Sequence, residues 1–385
     1  MSEVAQVPQL RFPEFSGEWE DGKLGNYGNL INGLTYSPDN IVDDGLLVLR
    51  SSNVQNGQIY LNDNVYVNLD VDDAALTKED DILICVRNGS KRLIGKSTII
   101  NKNLPKSTHG AFMTVFRGES NKFISHWFHS SIYYKEVHKN LGATINSING
   151  SNLKKFKTIF PLKPEQQKIA AFLTAVDNKI EQLSTKQVLL GEYKKGLMQQ
   201  IFSQAIRFKA DDGCDFPDWK EKKLGSLCEI TTGKLDANAM VKDGQYRFYT
   251  CAKEYYKIDD YAFDTDALIV SGNGANVGYI HHYQGKFNAY QRTYVLDSFT
   301  DNIVFVKFVL DGYLHKRIMK EKNEGNTPYI VMGTLTDMKI NLPSFSEQTK
   351  ISNFLSSIDS KIEQVSKQLD ESKQFKKALL QQMFV

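Results

Sequence analysis

The sequence predicts an α+β fold in which two α/β domains are joined by two long antiparallel helices forming a coiled coil, with pseudo-two-fold internal symmetry. Three observations lead to this prediction. Residues 347–384 repeat residues 165–202 without a gap, with 18 identities in 38 positions. WEDGKLG, starting at Trp19, matches WKEKKLG, starting at Trp219, and Gly33 matches Gly233. Short apolar runs separated by Asn, Gly and Ser fill the intervening parts, as in strands and turns.

The repeated segments have the apolar spacing of a coiled coil. In the first copy Ile169, Leu173, Val176, Ile180 and Leu183 follow one another in alternating steps of four and three residues. Such a spacing, kept over about five heptads, is typical of coiled coils. We therefore predict helices over residues 161–203 and 343–385 and expect them to pair antiparallel. The alternative is that each helix packs only against its own domain.

The rest of the chain divides around these helices. We expect an N-terminal arm over 1–18, a first domain over 19–160, a linker over 204–218 and a second domain over 219–342. LICVRNG, residues 83–89, aligns with LIVSGNG, residues 268–274, as a strand followed by a turn. In each domain a segment with a helical pattern follows, and after it comes a Gly-Xaa-Thr turn, at residues 142–144 and 325–327.

Composition sets the broad class of the protein. The 385 residues carry 47 Lys and Arg against 45 Asp and Glu, a formal net charge of +2, so bulk charge does not identify a partner. The first residues show no signal-peptide pattern, and no apolar run is long enough to span a bilayer. The four cysteines form no CxxC pair, which argues against a zinc cluster or a disulfide framework. We expect a cytoplasmic protein without a membrane partner.

Polar turns that combine Lys or Arg with Asn, Gln, Ser, Thr and Tyr occur at matching places in both domains. Lys and Arg can bind phosphates or guanine edges, and Asn and Gln can make bidentate contacts to adenine. Any single turn of this kind is more often a solvated loop, but a matched set favours recognition. The predicted DNA-binding residues are Arg50, Ser51, Asn53, Arg87, Asn88, Lys91, Arg92, Lys96, Tyr249, Thr250, Lys253, Asn273, Asn276, Gln291, Arg292 and Thr293.

Catalytic and metal-binding motifs were weighed and rejected. The GNGANVG run that begins at Gly272 has the wrong spacing for a dinucleotide loop. His126 and His129 have helical spacing but no third ligand nearby, so we interpret them as packing residues. We therefore predict no catalytic residue, no metal and no cofactor in this chain. A non-catalytic scaffold with two ligand-binding domains, and a self-contained modification or restriction enzyme, are the competing hypotheses.

The ordered double set of motifs resembles the DNA-specificity (S) subunit of type I restriction–modification systems. The resemblance covers nearly the whole chain. It rests on the two KLG domain starts, the paired glycines, the LICVRNG and LIVSGNG segments, and two helices of the form EQxKI…FL…DxKIEQ…KKxLxQQxF. It implies a non-catalytic subunit that reads a bipartite, asymmetric DNA sequence through two target recognition domains.

The resemblance also implies partners. Two modification subunits would perform adenine-N6 methylation with S-adenosylmethionine, and two restriction subunits would use ATP and Mg²⁺ for translocation and cleavage. The repeated helices would give the modification subunits two equivalent docking sites. The residues predicted for docking are Glu165, Gln166, Phe172, Asp177 and Lys179 in the first copy, and Glu347, Gln348, Phe354, Asp359 and Lys361 in the second.

Overall fold

The computed structural model describes residues 6–141, 146–321 and 328–385, so the two Gly-Xaa-Thr turns lie outside the described residues. The chain forms two compact units. Unit 1 consists of Met1–Ser184 with Lys367–Val385, and unit 2 is Thr185–Ser366. Each unit therefore contains one strand-rich domain, the adjoining half of its own long helix and the far half of the other long helix.

Unit 1 contains twelve of the described strands and the first helices. The strands are β1 Glu20–Lys23, β2 Gly28–Asn32, β3 Ile41–Val42, β4 Leu46–Leu49, β5 Val54–Gln55, β6 Gln58–Ile59, β7 Tyr66–Val67, β8 Ile82–Cys85, β9 Ser97–Ile99, β10 Ser107–His109, β11 Met113–Gly118 and β12 Lys157–Phe160. The helices are α1 Asn121–Trp127, α2 Ser131–Asn140, α3 Gly150–Lys154 and α4 Lys163–Phe202. The two larger sheets have the orders β2-β11-β8-β9 and β10-β4-β7-β3.

Unit 2 has one larger sheet. Its strands are β13 Lys220–Lys223, β14 Glu229–Thr232, β15 Tyr246–Tyr249, β16 Tyr256–Ile258, β17 Phe263–Ser271, β18 Ile280–Ala289, β19 Thr293–Asp297 and β20 Lys339–Leu342. The helices are α5 Ile303–Glu321, α6 Met332–Thr336 and α7 Phe345–Gln382. Six strands form one sheet in the order β14-β19-β17-β18-β15-β16.

The strand pairings of unit 1 recur in unit 2. Antiparallel β2, β11 and β8 correspond to β14, β19 and β17, and the parallel pair β4 and β10 corresponds to β15 and β18. In unit 2 the single strand β18 pairs with both β17 and β15, whereas unit 1 uses separate strands β9 and β10. Pro105 lies just before β10, and proline cannot continue a hydrogen-bonded ladder. The α+β class with two repeated domains is confirmed.

The structure corrects the alignment of the two strand–turn segments by one residue. In unit 1 Cys85 lies opposite Met113, the first residue of β11. In unit 2 Ser271 lies opposite Thr293, the first residue of β19. Cys85 therefore corresponds to Ser271 rather than to Val270, because the Asn-Gly letters begin three residues after Cys85 but two residues after Ser271.

The long helices follow the predicted seam. Ile169 and Leu173 of α4 are buried in the aromatic core of unit 1 beside Leu379 of α7 and Met383, which follows the end of α7. The start of α4 thus meets the end of α7, and the two segments run antiparallel. In unit 2 the end of α4, from Leu197 to Phe202, packs with the start of α7, from Ile351 to Ile358, in the same arrangement. The coiled-coil periodicity is what allows one face of each helix to be buried in this way.

Equivalent ion pairs connect the helix segments inside each unit. Lys376 Nζ lies 2.5 Å from Asp177 Oδ1 in unit 1. Lys194 Nζ lies 2.6 Å from Asp359 Oδ1 in unit 2. Each lysine continues the heptad spacing of the apolar seam in its helix. Across the described residues, no helix has the length and apolar character needed to cross a membrane.

Candidate functional site

Three segments of unit 1 meet at one end of its sheets, and we call residues 49–54, 86–92 and 110–112 loop cluster 1. Backbone hydrogen bonds hold them together. Gly110 N donates to Leu49 O at 3.0 Å, and Val86 N donates to Phe112 O at 3.0 Å. Asn88 Nδ2 donates to Ser51 Oγ at 3.0 Å and links two of the segments through side chains. The predicted reading turns of the first domain are therefore neighbours in space.

The corresponding segments of unit 2 meet in the same way, and we call residues 249–253, 272–276 and 290–293 loop cluster 2. Tyr290 N donates to Tyr249 O at 2.9 Å, as Gly110 does to Leu49 in unit 1. Gly272 N donates to Arg292 O at 2.9 Å, as Val86 does to Phe112. One backbone arrangement thus carries two different sets of side chains.

The paired glycines pack at the base of the two clusters. A Cβ added to Gly33 would collide with the Gly110 carbonyl, and one added to Gly233 would collide with the Ala289 carbonyl. Any side chain at either position would push the neighbouring loop away. This close approach of backbone to backbone is the physical reason for the repeated glycine.

The predicted residues of unit 1 differ in exposure. Arg87, Lys91 and Arg92 are exposed on loop cluster 1 and free to meet a ligand. The half-buried residues are Arg50, Ser51, Asn88 and Lys96. Arg50 Nη2 is 2.9 Å from Asp63 Oδ2, so its charge is already paired inside the unit.

Two predicted residues of unit 1 already have hydrogen-bond partners inside the unit. Asn53 is fully buried, its Oδ1 accepts from Arg50 N at 2.9 Å, and its Nδ2 donates to Tyr60 O at 3.0 Å. Lys96 Nζ donates to Val54 O at 2.6 Å, and burial lowers the pKa of its ammonium. Both side chains use their polar atoms to shape the loop, because a buried polar group must find a partner inside the protein. Asn53 is therefore corrected, because its side chain is not accessible, and Lys96 stays a predicted contact residue.

The predicted residues of unit 2 also divide by exposure. Lys253, Gln291 and Arg292 are exposed, and Gln291 Nε2 donates to Asp236 Oδ1 at 2.8 Å. Asn273 and Asn276 are half-buried. Asn276 Nδ2 donates to Cys251 O at 3.2 Å and so connects two segments of loop cluster 2.

Three predictions in unit 2 are corrected. Tyr249, Thr250 and Thr293 are buried; Tyr249 is the last residue of β15, Thr250 follows it, and Thr293 is the first residue of β19. The Tyr249 hydroxyl is 3.2 Å from an Arg247 nitrogen that donates to it, and its ring packs edge-on against Phe287. These side chains support the loops and do not present themselves as readers.

Two further candidate contact residues were not predicted, because neither belongs to a polar turn. Phe112 is 55% exposed on loop cluster 1, and the Arg87 guanidinium lies 5.6 Å from the centre of its ring. Arg247 lies between the rings of Tyr255 and Tyr283, at 4.4 and 4.2 Å from their centres. Phe112 lies at a loop tip and Arg247 inside a strand, and neither position follows from the composition of a turn.

On the helices, the two glutamates predicted to bind a partner are buried inside their own units. Glu165 accepts from Arg11 Nε and Nη2, both at 2.8 Å, and from Trp19 Nε1 at 3.3 Å. The carboxylate raises the pKa of the Arg11 guanidinium, chiefly through these hydrogen bonds. The N-terminal segment is thereby fixed to the start of α4.

Unit 2 repeats this arrangement around Glu347. Arg207 Nη2 donates to Glu347 Oε2 at 2.9 Å, and Trp219 Nε1 donates to the same oxygen at 3.1 Å. A buried carboxylate requires such partners, since an unpaired charge would be costly. The prediction that Glu165 and Glu347 contact a partner subunit is therefore replaced by a structural role.

The remaining helix residues fall into two groups. Gln166 and Gln348 are buried, and their Nε2 atoms donate to the carbonyls of Pro161 and Pro343. This corrects their assignment to docking. Half-buried residues with a neighbour in their own unit are Phe172 with Phe12, Phe354 with Phe208, Asp177 with Lys376 and Asp359 with Lys194. Lys179 and Lys361 remain exposed at equivalent positions.

Two exposed aromatic residues on the helices were missed. Tyr193 of α4 is 55% exposed and Phe375 of α7 is 53% exposed. They occupy equivalent positions of the repeat, separated by the same 182 residues as Glu165 and Glu347. An aromatic residue occurs at this position in both copies of the sequence, but the heptad pattern predicts only which positions are buried in the seam.

His126 of α1 and His129, just after it, are packed inside unit 1. His126 is buried, with Nε2 3.2 Å from Thr174 Oγ1 and Nδ1 3.7 Å from Asp177 Oδ2. Burial, with the nearby Lys376 ammonium, lowers the pKa of His126 to about 3. His129 Nε2 lies 3.3 Å from Ser97 O. Within the described ranges, no three His, Cys, Asp or Glu side chains gather as a metal-ligand set.

Comparison with known proteins places the chain in a family. The family model described as the type I restriction modification DNA specificity domain matches residues 16–190 and 217–372. The EcoDI type I restriction enzyme specificity subunit of Escherichia coli is 43% identical over 168 residues, which cover 42% of this chain and 37% of that protein. The StySPI specificity subunit of Salmonella potsdam is 23% identical over 354 residues, which cover 83% and 74%. The chain thus spans little more than a third of the first relative.

A solved structure has a similar fold. The crystal structure of a type I restriction–modification S subunit from M. genitalium matches with a TM-score of 0.68 at 18% identity, covering 98% of this chain and 99% of that one. At this identity the match concerns the fold. The family model, however, matches well over half of the chain in two segments, one for each repeat. The chain belongs to the family of type I restriction–modification DNA specificity subunits.

Proposed function

We propose that this chain reads a bipartite, asymmetric DNA sequence, with loop cluster 1 contacting one half-site and loop cluster 2 the other. The observation that carries the proposal is the shared backbone arrangement. The Leu49–Gly110 and Val86–Phe112 hydrogen bonds of unit 1 have direct counterparts in unit 2, while the side chains at the loop tips differ. Equal frameworks with unequal side chains suit two readers of unequal half-sites.

The exposed side chains provide suitable chemistry for DNA. Loop cluster 1 presents Arg87, Lys91 and Arg92, and loop cluster 2 presents Lys253 and the adjacent pair Gln291 and Arg292. Arg can contact guanine O6 and N7 together, and Gln can contact adenine N6 and N7. The lysines can position the protein on phosphates. The near-neutral chain leaves much of the phosphate neutralisation to its partners.

The helices support the second part of the proposal, that two copies of a modification subunit dock on this chain. Tyr193 and Phe375 are equally exposed at equivalent positions, and Lys179 and Lys361 are a second exposed, equivalent pair. Exposed aromatic side chains are enriched at the centres of protein interfaces. A repeated surface on a single chain suits a partner present in two copies.

In this proposal the chain performs no chemistry itself. The modification subunits supply S-adenosylmethionine-dependent adenine methylation, and two restriction subunits supply ATP- and Mg²⁺-dependent translocation and cleavage. This chain contributes recognition and assembly. This contribution is tested most simply by measuring activities of the complex that depend on the DNA sequence.

A domain exchange tests independent reading by the two units. Residues 20–160 are replaced by the corresponding domain of another family member, and the chimera is expressed with the modification subunits. We expect methylation at a new site in which one half has changed and the other is retained. The reciprocal exchange of residues 220–342 is the matched control and should change the other half. A change in both halves after one exchange would contradict independent reading.

A measurement of DNA binding distinguishes the proposed function from that of a scaffold for proteins or glycans. The complex is titrated with random-sequence duplex at several salt concentrations. A DNA reader releases counterions, so the logarithm of its affinity falls steeply and linearly with the logarithm of salt concentration. Absence of measurable duplex binding at low salt would favour the scaffold.

A further inference from the structure

Phe112 combines an exposed ring with a fixed backbone. Its side chain is 55% exposed at the tip of the 110–112 segment. Its carbonyl accepts from Val86 N at 3.0 Å and Arg87 N at 3.1 Å, and the next residue, Met113, donates to Gly110 O at 2.8 Å. The loop is therefore preorganised, and the ring is displayed at the surface of unit 1 with the Arg87 guanidinium over it.

The position of Phe112 is defined by its counterpart in unit 2. Phe112 lies one residue before β11 and Arg292 one residue before β19, and these strands are equivalent. Both carbonyls accept from the residue that follows the neighbouring strand, Val86 in unit 1 and Gly272 in unit 2. Where unit 2 presents a charged side chain suited to base edges, unit 1 presents an apolar one.

The surroundings of the Phe112 ring favour a nucleic-acid partner. The Arg87 guanidinium lies 5.6 Å from the ring centre, a distance suited to a cation–π interaction. Lys91 and Arg92 are exposed on the same loop cluster. An apolar ring with one cation over it and two more exposed on the same loop cluster suits a surface that is negatively charged overall and has local apolar groups. The major groove offers one such group, the thymine 5-methyl, and phenylalanine is among the side chains that contact it.

We propose that Phe112 is a specificity residue of the first half-site and that its ring packs on the 5-methyl group of a thymine in the major groove. This inference rests on the DNA-reading function proposed above. Arg87 then holds the ring from the side and remains available to a phosphate or a guanine. The two units differ in chemistry at this position, with methyl recognition by Phe112 in one and hydrogen bonding by Arg292 in the other.

The test uses the full chain with its modification subunits and a duplex containing the target found by methylation sequencing. Each thymine of the first half-site is replaced singly by deoxyuridine, which keeps base pairing and removes only the methyl group. Binding is measured by fluorescence anisotropy at one salt concentration. For the unsubstituted chain, we expect one replacement to weaken binding about fourfold, the effect of losing one buried methyl group.

Three variants separate the possible outcomes. Phe112→Ala should weaken binding to the thymine duplex by about tenfold and abolish its sensitivity to that deoxyuridine. Phe112→Leu keeps an apolar side chain and should retain part of the sensitivity, which guards against a folding defect in the alanine variant. Ile41→Ala removes another exposed apolar side chain of unit 1, 49% exposed and outside loop cluster 1, and should change nothing.

Several results would overturn the proposal. Undiminished deoxyuridine sensitivity in Phe112→Ala would assign the methyl contact to another residue. No sensitivity at any thymine in the unsubstituted chain would exclude the contact altogether. Loss of modification-subunit binding in Phe112→Ala would make the ring a protein contact instead. If the unsubstituted complex showed no preference for its target, the proposed function itself would fail, and that comparison is made before any substitution.

Discussion

Replacing Glu165 by alanine tests the buried carboxylate that fixes the N-terminal segment to α4. The substitution removes two charge-assisted hydrogen bonds from Arg11, both at 2.8 Å, and one from Trp19 at 3.3 Å. Removing one member of a buried ion pair costs about 3–5 kcal/mol, because the other charge is left without a partner. The Arg11 side chain is 14% exposed and can recover some hydration, so we expect the lower end, about 3 kcal/mol.

The assay is hydrogen exchange followed by mass spectrometry on the complete chain, which reports the opening free energy of each unit separately. Glu165→Ala should lower protection in unit 1 and leave unit 2 unchanged. Glu347→Ala should give the converse result. Glu181→Ala removes an exposed carboxylate from the same helix and should change stability by no more than about 0.5 kcal/mol. A loss below about 1 kcal/mol in Glu165→Ala, or an equal loss in both units, would refute the reasoning.

Three further predictions concern pH, packing and recognition. The folded pKa of His126, about 3, lies below the unfolded value of about 6.5, so the unfolded chain binds more protons and unit 1 loses about 2 kcal/mol between pH 7 and pH 5. His126→Phe, which would place a ring near Lys376 as Phe308 lies beside the equivalent Lys194 in unit 2, should remove that loss in thermal unfolding. Gly33→Ala should destabilise unit 1 by about 1–3 kcal/mol in hydrogen exchange, whereas Gly191→Ala, on an open helix surface, should stabilise by about 0.5–1 kcal/mol. Arg292→Ala should cost about 1–3 kcal/mol at one position of the second half-site in binding assays with base-pair substitutions.

Each of these has a contradicting result. An unchanged pH profile in His126→Phe would move the titration to another group, and His129, Asp177 and Lys376 are the charged or titratable groups near this site. Equal effects of the two glycine substitutions would mean that the Gly110 carbonyl can move away from a side chain at position 33 at little cost in free energy. A uniform loss across all duplex sequences in Arg292→Ala would mark a phosphate contact rather than base reading.

The sequence predicted the long helices well because their periodicity is a property of many residues at once. The seam from Ile169 to Leu183 and its repeat depend on no single position, and the equivalent strands were visible as apolar runs. Most of the predicted polar turns come together at loop clusters 1 and 2, and their contact with DNA stays a prediction. The patterns that extend over tens of residues therefore agree with the structure.

Burial of individual polar side chains could not be predicted. Asn53 and Asn88 both lie in polar turns, yet only Asn53 is fully buried, because the loop folds back so that the carbonyls of Tyr60 and Asp63 face it. Glu165 resembles a surface residue of a helix until Arg11 and Trp19, which are distant in sequence, are brought to it. Such contacts depend on tertiary packing rather than on local composition.

The one-residue shift between Cys85 and Ser271 has a similar cause. The letters that follow the two strands are nearly the same, but the register of a strand is set by its partners and by which face is buried. Phe112 was not predicted as a contact residue, because the prediction relied on polar side chains in turns. Its equivalence to Arg292 becomes visible only when hydrogen-bond partners are compared.

The most direct measurement of the central claim is methylation sequencing of cells that express this chain with its modification subunits, compared with cells that lack only this chain. We predict a new methylated target with two unequal half-sites separated by unread base pairs, lost completely when the chain is absent. A target that is continuous, or a methylation pattern that stays the same without the chain, would contradict the account.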